Sequence, residues 1–237
     1  MDRARRIHPS GSKAERTRAT ILAAAEPIFA DKGYSATRLE DVAARVGMRR
    51  ASLVYYFRDK RELYDAVLAD IFGALLDRYQ AVLRTTTPLP QRIEAIIDAW
   101  VGYVAERPAV ARLLLWEAAD GSQDRVFSAA GHGAAVISTL TTAIQQGQHQ
   151  GLFHPIEPIH FIFTIVGATV FFVAGMPRMV PDWPFNPLSR QQLDAHREQL
   201  LGISRRLLGT ERSPAHRSLE PMHRSQAATA HTGAEST

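Results

Sequence analysis

Cysteine is absent from the 237 residues. Structural disulfides, thiolate nucleophiles and cysteine-based zinc sites are excluded with it, and a reducing cytoplasm is the expected setting. Lysine is scarce: only Lys13, Lys32 and Lys60 among 28 basic residues. Period-two alternation bounded by hairpin turns is missing, which leaves no case for a sheet. There is no HExxH pair of metal ligands and no glycine-rich phosphate loop. A helical enzyme would need such a constellation, so no catalytic residue and no cofactor are expected. The N-terminal arginines are not followed by an apolar stretch, and a secretory leader is not expected.

What remains is ordinary in bulk and uneven in placement. At 46% hydrophobic and 22% charged residues, the chain has the balance of a soluble globular protein. Its length suits one large domain, or a small one fused to a larger one. Residues 1–64 carry 14 Lys and Arg against 8 Asp and Glu, a net of +6, and the other residues carry 14 against 16, a net of −2. A basic head on a mildly acidic body suggests that the head meets a polyanion.

Apolar spacing then divides the chain. Residues 1–12 read as a flexible basic arm. Ile21, Leu22, Ala25, Ile28 and Phe29 make one face of a helix that Gly33 ends. Thr37-Arg38-Leu39-Glu40 reads as a capping box opening a short helix with Leu39, Val42, Ala43 and Val46. Gly47 stops it, and Arg50 to Phe57 forms the next. Asp59-Lys60-Arg61-Glu62 is a second cap, opening a long helix to about Arg84. Helices follow from Pro90, over 109–119, 134–150 and 158–176, and up to Gly209. The fold class is therefore all-α: a three-helix head over 13–59 with a helix-turn-helix, and a larger helical bundle over 60–208. The segment 209–237 has too few aliphatic residues to offset its ordering entropy and is expected to be disordered. The uncharged run 158–177 has the length of a membrane span. It also contains His160, two threonines and two glycines and lacks a basic flank, so a bundle helix covered on both sides, and no membrane partner, is the expectation.

The two short helices joined at Gly47-Met48-Arg49 form the helix-turn-helix. Leu53 and Phe57, four apart, point inward. Ala51, Ser52 and Tyr55 point the other way, with Arg50 and Tyr56 on the flanks. Small leading residues let a helix enter a major groove. Arg50 can reach guanine O6 and N7 or a phosphate, and Tyr55 and Tyr56 can offer hydroxyls to phosphates or ring edges to thymine methyls. Lys60, at a helix N-terminus, makes a phosphate site.

Residues 18–64 resemble the N-terminal domain of the tetracycline-repressor-like (TetR) family of bacterial transcription regulators. The likeness runs through Arg18, Ile21-Leu22, Ala24-Ala25, Phe29, Gly33-Tyr34, Thr37, Asp41-Val42-Ala43, Val46-Gly47, Leu53, Tyr55, Phe57, Lys60 and Leu63. The bundle is similar to that family only in layout, including Gly147-x-x-x-Gly151-Leu152-Phe153 before an apolar helix. The family often reads Leu-Tyr-x-His-Phe where this chain has Leu53-Val54-Tyr55-Tyr56-Phe57, so Val54 stands at the frequent phosphate-gripping tyrosine. Arg49 replaces a frequent serine.

The resemblance implies double-stranded DNA as partner, through Thr37, Arg38, Arg49, Arg50, Ala51, Ser52, Tyr55, Tyr56 and Lys60. Arg49 would meet the backbone and Arg50 a base. It further implies a homodimer built from 158–176 and 189–208, an inverted-repeat operator, repression, and a small-molecule effector in the bundle. Gly167, Ala168 and Ala174 would allow close approach of the partner, while Phe161, Phe171 and Phe172 would supply area. The candidates to line an effector pocket are Trp100, Tyr103, Trp116, Phe127, His160 and Phe163, an aromatic set that suggests a mostly apolar ligand. His149, His154 and His160 span a glycine turn with no carboxylate at helical spacing beside a pair of them, so no metal site is expected.

Overall fold

The computed structural model describes residues 12–119 and 132–211, and every regular element among the described residues is a helix. In chain order these are α1 (Lys13–Ala36), α2 (Leu39–Val46), α3 (Arg50–Tyr56), α4 (Lys60–Leu83), α5 (Leu89–Glu106) and α6 (Pro108–Ala119). Then come α7 (His132–His149), α8 (Pro158–Val170), a π-helical turn (Phe171–Gly175), α9 (Met176–Met179) and α10 (Arg190–Leu208). The arm expected over 1–12, apart from Ser12, the tail beyond residue 211, and Phe127 lie outside the described residues.

Local chemistry sets the head's boundaries. Ser12 caps α1: its hydroxyl accepts the Glu15 amide at 3.2 Å, while the Glu15 carboxylate accepts the Ser12 amide at 2.6 Å. Near its end α1 breaks at Gly33, whose φ of +75° costs an L side chain roughly 1–2 kcal/mol. The capping box expected at Thr37–Glu40 falls elsewhere. Thr37 is buried and its hydroxyl donates back to the Gly33 carbonyl at 2.7 Å. Arg38 is the N-cap of α2, and its amide donates to Asp41. Arginine has no acceptor to return the bond, so this end is capped from one side only. Gly47, at φ +74°, closes α2. Asp59 caps α4 by accepting the Glu62 amide at 2.8 Å, and Glu62 reaches back to Arg58 rather than to the cap itself.

The head's core is a contiguous set of side chains at or near zero exposure: Ile21, Ala25, Phe29, Val42, Leu53, Phe57 and Leu63. Each large one contributes about 1.5–3 kcal/mol by burial. The rings of Phe29, Tyr34 and Tyr64 meet edge-on, at 4.8 Å for Phe29–Tyr64 and 5.1 Å for Tyr34–Tyr64.

Helix α4 belongs to both halves, packing on α1 in the head and on α5 and α7 in the body. In the body α5 packs on α10, and α8 packs on α6, α7 and α10. Helix α8, the π-turn and α9 together run from Pro158 to Met179, 22 residues that by length and composition could cross a membrane. Here Phe161, Ile162, Ile165, Val170 and Val173 turn inward and are buried.

Head and body are tied by α6. Arg107, just before α6, places its guanidinium among three elements. It donates to both oxygens of Glu26 on α1, to Asp70 on α4 at 2.9 Å, and to the Tyr103 hydroxyl on α5 at 3.0 Å. Burial opposes its charge, but these carboxylates outweigh that and hold its pKa above the ordinary value. Along α6, Arg112 pairs with Asp31 at 3.2 Å, the Trp116 indole N–H donates to the Ala30 carbonyl at 3.1 Å, and Glu117 accepts the Tyr64 hydroxyl. The Trp116 ring lies over Gly33, where a Cβ would sit 3.5 Å from it.

Glu26 is the innermost member of the cluster, at 8% exposure. Glu26→Ala leaves part of a buried guanidinium unmet, which costs about 3 kcal/mol. Urea denaturation should show that loss, and an unchanged midpoint would mean that the Glu26–Arg107 pair contributes nothing to holding the head.

Candidate nucleic-acid interface and bundle cavity

The helix-turn-helix presents α3 with a sharp division. Leu53 and Phe57 are fully buried, whereas Arg49, Arg50, Ala51 and Ser52 are exposed and Tyr55 is 84% exposed. Tyr56 is half-buried and its ring meets that of Tyr55 edge-on at 5.4 Å. Val54 is half-buried against the core. The outward face is thus small at its leading end and aromatic behind, flanked by two arginines.

Three expected DNA-contacting residues have other engagements. Thr37 is turned inward, as described above, so its hydroxyl is not presented to a ligand. Lys60 donates to the carbonyls of Tyr34 and Ser35, at 2.8 and 3.0 Å, with its ammonium over the Tyr34 ring. Its charge thus ties down the chain end of α1. Arg50 is paired through Nε to Glu40 on α2 at 2.8 Å, with both side chains largely exposed. The sequence reading missed Glu40, because the pair spans a turn rather than one helix face. Arg38 is exposed at the α2 N-cap, and Arg18 lies over the Phe57 ring at 4.7 Å.

In the body a small cavity of about 30 Å³ lies between α4, α5, α7 and α8. Ile93, Ile97, Leu140, Ile144 and Ile165 are among its walls, and Tyr79 and Trp100 bring its polar atoms. Of the expected pocket residues that are described, only Trp100 lies there. Tyr103 faces α4 instead, its hydroxyl donating to the Ile71 carbonyl at 2.9 Å, and burial pushes its pKa up to about 12. Trp116 lies at the head–body seam. His160 and Phe163 are exposed on the opposite face of α8. Helical phase sets their direction: Phe161, Ile162 and Ile165 point inward, so residues 160 and 163 must point out. The inward set was present in the sequence, but a run apolar on every side does not reveal its own phase.

The outward face of α8 carries Ile159 and Phe163, and the π-helical turn adds Phe171, with exposures of 37%, 47% and 46%. Gly167 is exposed between them. Phe172 is instead stacked on His196 of α10, ring to ring at 4.2 Å. His196 points Nε2 at the Thr169 hydroxyl, 3.2 Å away, and burial lowers its pKa. Among the described residues no group of three or more His, Cys, Asp or Glu side chains could hold a metal ion.

Comparison with known proteins places these elements. Residues 21–67 match the family model for bacterial regulatory proteins of the tetR family, and residues 90–203 match that for a tetracyclin repressor-like C-terminal domain. The HTH-type transcriptional regulator RutR of Escherichia coli K12 is 30% identical over 159 residues, covering 67% of this chain and 74% of RutR. The HTH-type transcriptional repressor KstR2 of Mycobacterium tuberculosis H37Rv is 24% identical over 177 residues, covering 74% of this chain and 86% of its own. Among solved structures, a tetR-family regulatory protein from Rhodococcus RHA1 superimposes with a TM-score of 0.65 at 23% identity, over 84% of this chain and 98% of the other. That likeness concerns the fold.

Two outcomes follow from the head's geometry. Lys60→Met removes two charge-assisted bonds to carbonyls and should lower stability by about 1–3 kcal/mol, read by chemical denaturation; full stability would mean those bonds contribute nothing. Asp41 is held below its ordinary value by the Lys32 hydrogen bond, and Glu62 by that of Arg58. Stability from a depressed carboxylate is complete above its unfolded pKa and fades as pH falls through the folded one. Stability followed against pH by chemical denaturation should therefore lose the Asp41 and Glu62 contributions only below about pH 4, after that of His196, which fades below its ordinary value of 6.5.

Proposed function

The chain belongs to the tetR family of bacterial regulatory proteins and is a DNA-binding transcriptional regulator of the helix-turn-helix type; we propose that it works as a homodimeric repressor, released from an inverted-repeat operator by a small, largely apolar ligand. The observation that carries this reading is the two-sided α3, with Leu53 and Phe57 fully buried and Arg49 to Ser52 and Tyr55 outside. One such helix buries too little surface for tight, specific binding, so two must act together. In a dimer the two recognition helices enter successive major grooves roughly 34–36 Å apart.

The partner surface in this reading is the outer face of α8 with α10. Ile159, Phe163 and Phe171 supply apolar area, Gly167 lets the helices approach, and Leu207 of α10, 40% exposed, adds to the patch. The ligand site is the bundle cavity beside Trp100. Repression follows the sign of KstR2, which is named a repressor. The protein acts in the cytoplasm, where the DNA is. Within the head, Arg50 reads a base with the terminal nitrogens that its Nε–Glu40 pairing leaves outward, Arg49 and Tyr55 hold the backbone, and Lys60 acts only indirectly.

Selecting bound fragments from the source genome and titrating them by fluorescence anisotropy tests the reading. Affinity should fall by about a thousandfold between about 50 and 200 mM salt. Arg50→Ala should lower discrimination at one base pair per half-site by about 1–3 kcal/mol. Salt-independent binding, no selected inverted repeat, or an Arg50→Ala protein with unaltered base preference would each count against it.

A further inference from the structure

The wall of the bundle cavity is nearly all hydrocarbon. Among the described residues, Tyr79 and Trp100 are the only lining side chains with a polar atom. Trp100 is 2% exposed, and its indole Nε1 is buried without a hydrogen-bond acceptor among the described residues. An indole N–H can only donate. Leaving such a donor unmet in the interior costs about 1–3 kcal/mol, so its retention beside a cavity is informative. Trp116 makes no such sacrifice, because its N–H meets the Ala30 carbonyl. The Tyr79 phenol is buried, and burial raises its pKa, so it too stays uncharged beside the cavity. Among the described residues no cationic or anionic side chain lines the wall. A carboxylate or ammonium brought there would lose its hydration with no counter-charge to replace it.

We infer that the cavity takes an uncharged, mainly hydrocarbon molecule carrying a carbonyl oxygen, a ketone or an ester, which accepts the indole N–H of Trp100. This rests on the effector role given to the cavity above. Trp100 is then the residue that sets specificity: the aliphatic walls select for bulk and apolarity, and the single N–H selects for an acceptor. A site built around a polar partner discriminates far better against a ligand lacking that partner than an apolar wall discriminates by size. The cavity volume of about 30 Å³ is far below the roughly 150 Å³ of an apolar cavity that admits benzene. A ketone of useful size must therefore spread α5 and α8, which line the space, and its binding favours a conformation other than this one.

The test uses the whole protein with 2-octanone, 2-decanone and camphor as neutral ketones and decanoate as the charged counterpart. Three variants of the cavity decide it: wild type, Trp100→Phe, which keeps the ring and removes the N–H, and Ile165→Trp, which fills the space. Nitrogen-15 spectra show the indole N–H signals, and the one missing in Trp100→Phe belongs to Trp100. At least one ketone should shift that signal in wild type, bind Trp100→Phe about tenfold more weakly, and lose binding to Ile165→Trp. Decanoate should bind at least tenfold more weakly than the ketone of equal length. Equal ketone affinity for wild type and Trp100→Phe, or decanoate binding as well as 2-decanone, overturns the ligand class while leaving the cavity as the effector site. Binding by none of the ketones also overturns it. The effector reading is then judged separately, by whether extract of the source cells releases the operator from wild type but not from Ile165→Trp.

Discussion

The position of the head on the body depends on one guanidinium. Arg107 sits where α5 ends and α6 begins, and it reaches α1, α4 and α5 at once. Only arginine can do this: its fork carries five donors in a fixed plane, whereas a lysine would offer one mobile point charge. Taking that charge out of water is costly, and it is tolerated because Glu26 and Asp70 are in place to meet it. The consequence is directional. The turn into α6 is pinned to α1, and α6 then runs along α1 through Arg112 and Trp116 and reaches Tyr64 of α4 through Glu117. Its apolar side, with Val110 and Leu113, is buried in the body core. A helix fastened in this way cannot rotate against the body without carrying α1, and α1 forms the wall against which the helix-turn-helix is built.

The cavity adds a second constraint. Its walls are contributed by α4, α5, α7 and α8, and α5 leads through Arg107 into α6. A space this small cannot admit a ligand of more than a few atoms unless those helices separate, because packed interiors have little slack. Ligand and present conformation are then alternatives, and the ligand shifts the head only by as much as its affinity differs between the two. The same Tyr103 that accepts from Arg107 donates to the backbone of α4. Movement of α5 would therefore disturb α4 and α6 together, the two helices that touch the head.

The helical elements were legible in the sequence because their signals are local. Apolar spacing, Gly33, Gly47 and Asp59 mark helix faces and ends without help from distant residues. The two-sided α3 was legible for the same reason, since Leu53 and Phe57 differ from Ala51, Ser52 and Tyr55 in kind as well as in phase. What the sequence did not mark was long-range or phase-ambiguous. Lys60 looked like a phosphate ligand because the carbonyls it serves, at Tyr34 and Ser35, lie 26 and 25 residues away. Tyr103 and Trp116 are aromatic like Trp100, but each has a hydrogen-bond partner from a remote helix that the sequence does not mark. In α8 nearly every position is apolar, so the choice between His160 with Phe163 and Phe161 with Ile165 as the inner pair depends on how neighbours dock.

The replacement of a frequent tyrosine by Val54 also finds its physical reading in the head. Val54 is half-buried against the core and has no hydroxyl to offer a phosphate. Its neighbour Tyr55 projects almost wholly into solvent, where a lone ring would sample several rotamers and lose entropy on docking. Tyr56, half-buried and edge-on to Tyr55 at 5.4 Å, limits that freedom, since such ring pairs attract by about 0.5–1.5 kcal/mol. The adjacent tyrosines are therefore unequal: Tyr56 is anchored and serves as the brace, and Tyr55 is the side chain that its neighbour holds ready on the outer face of α3.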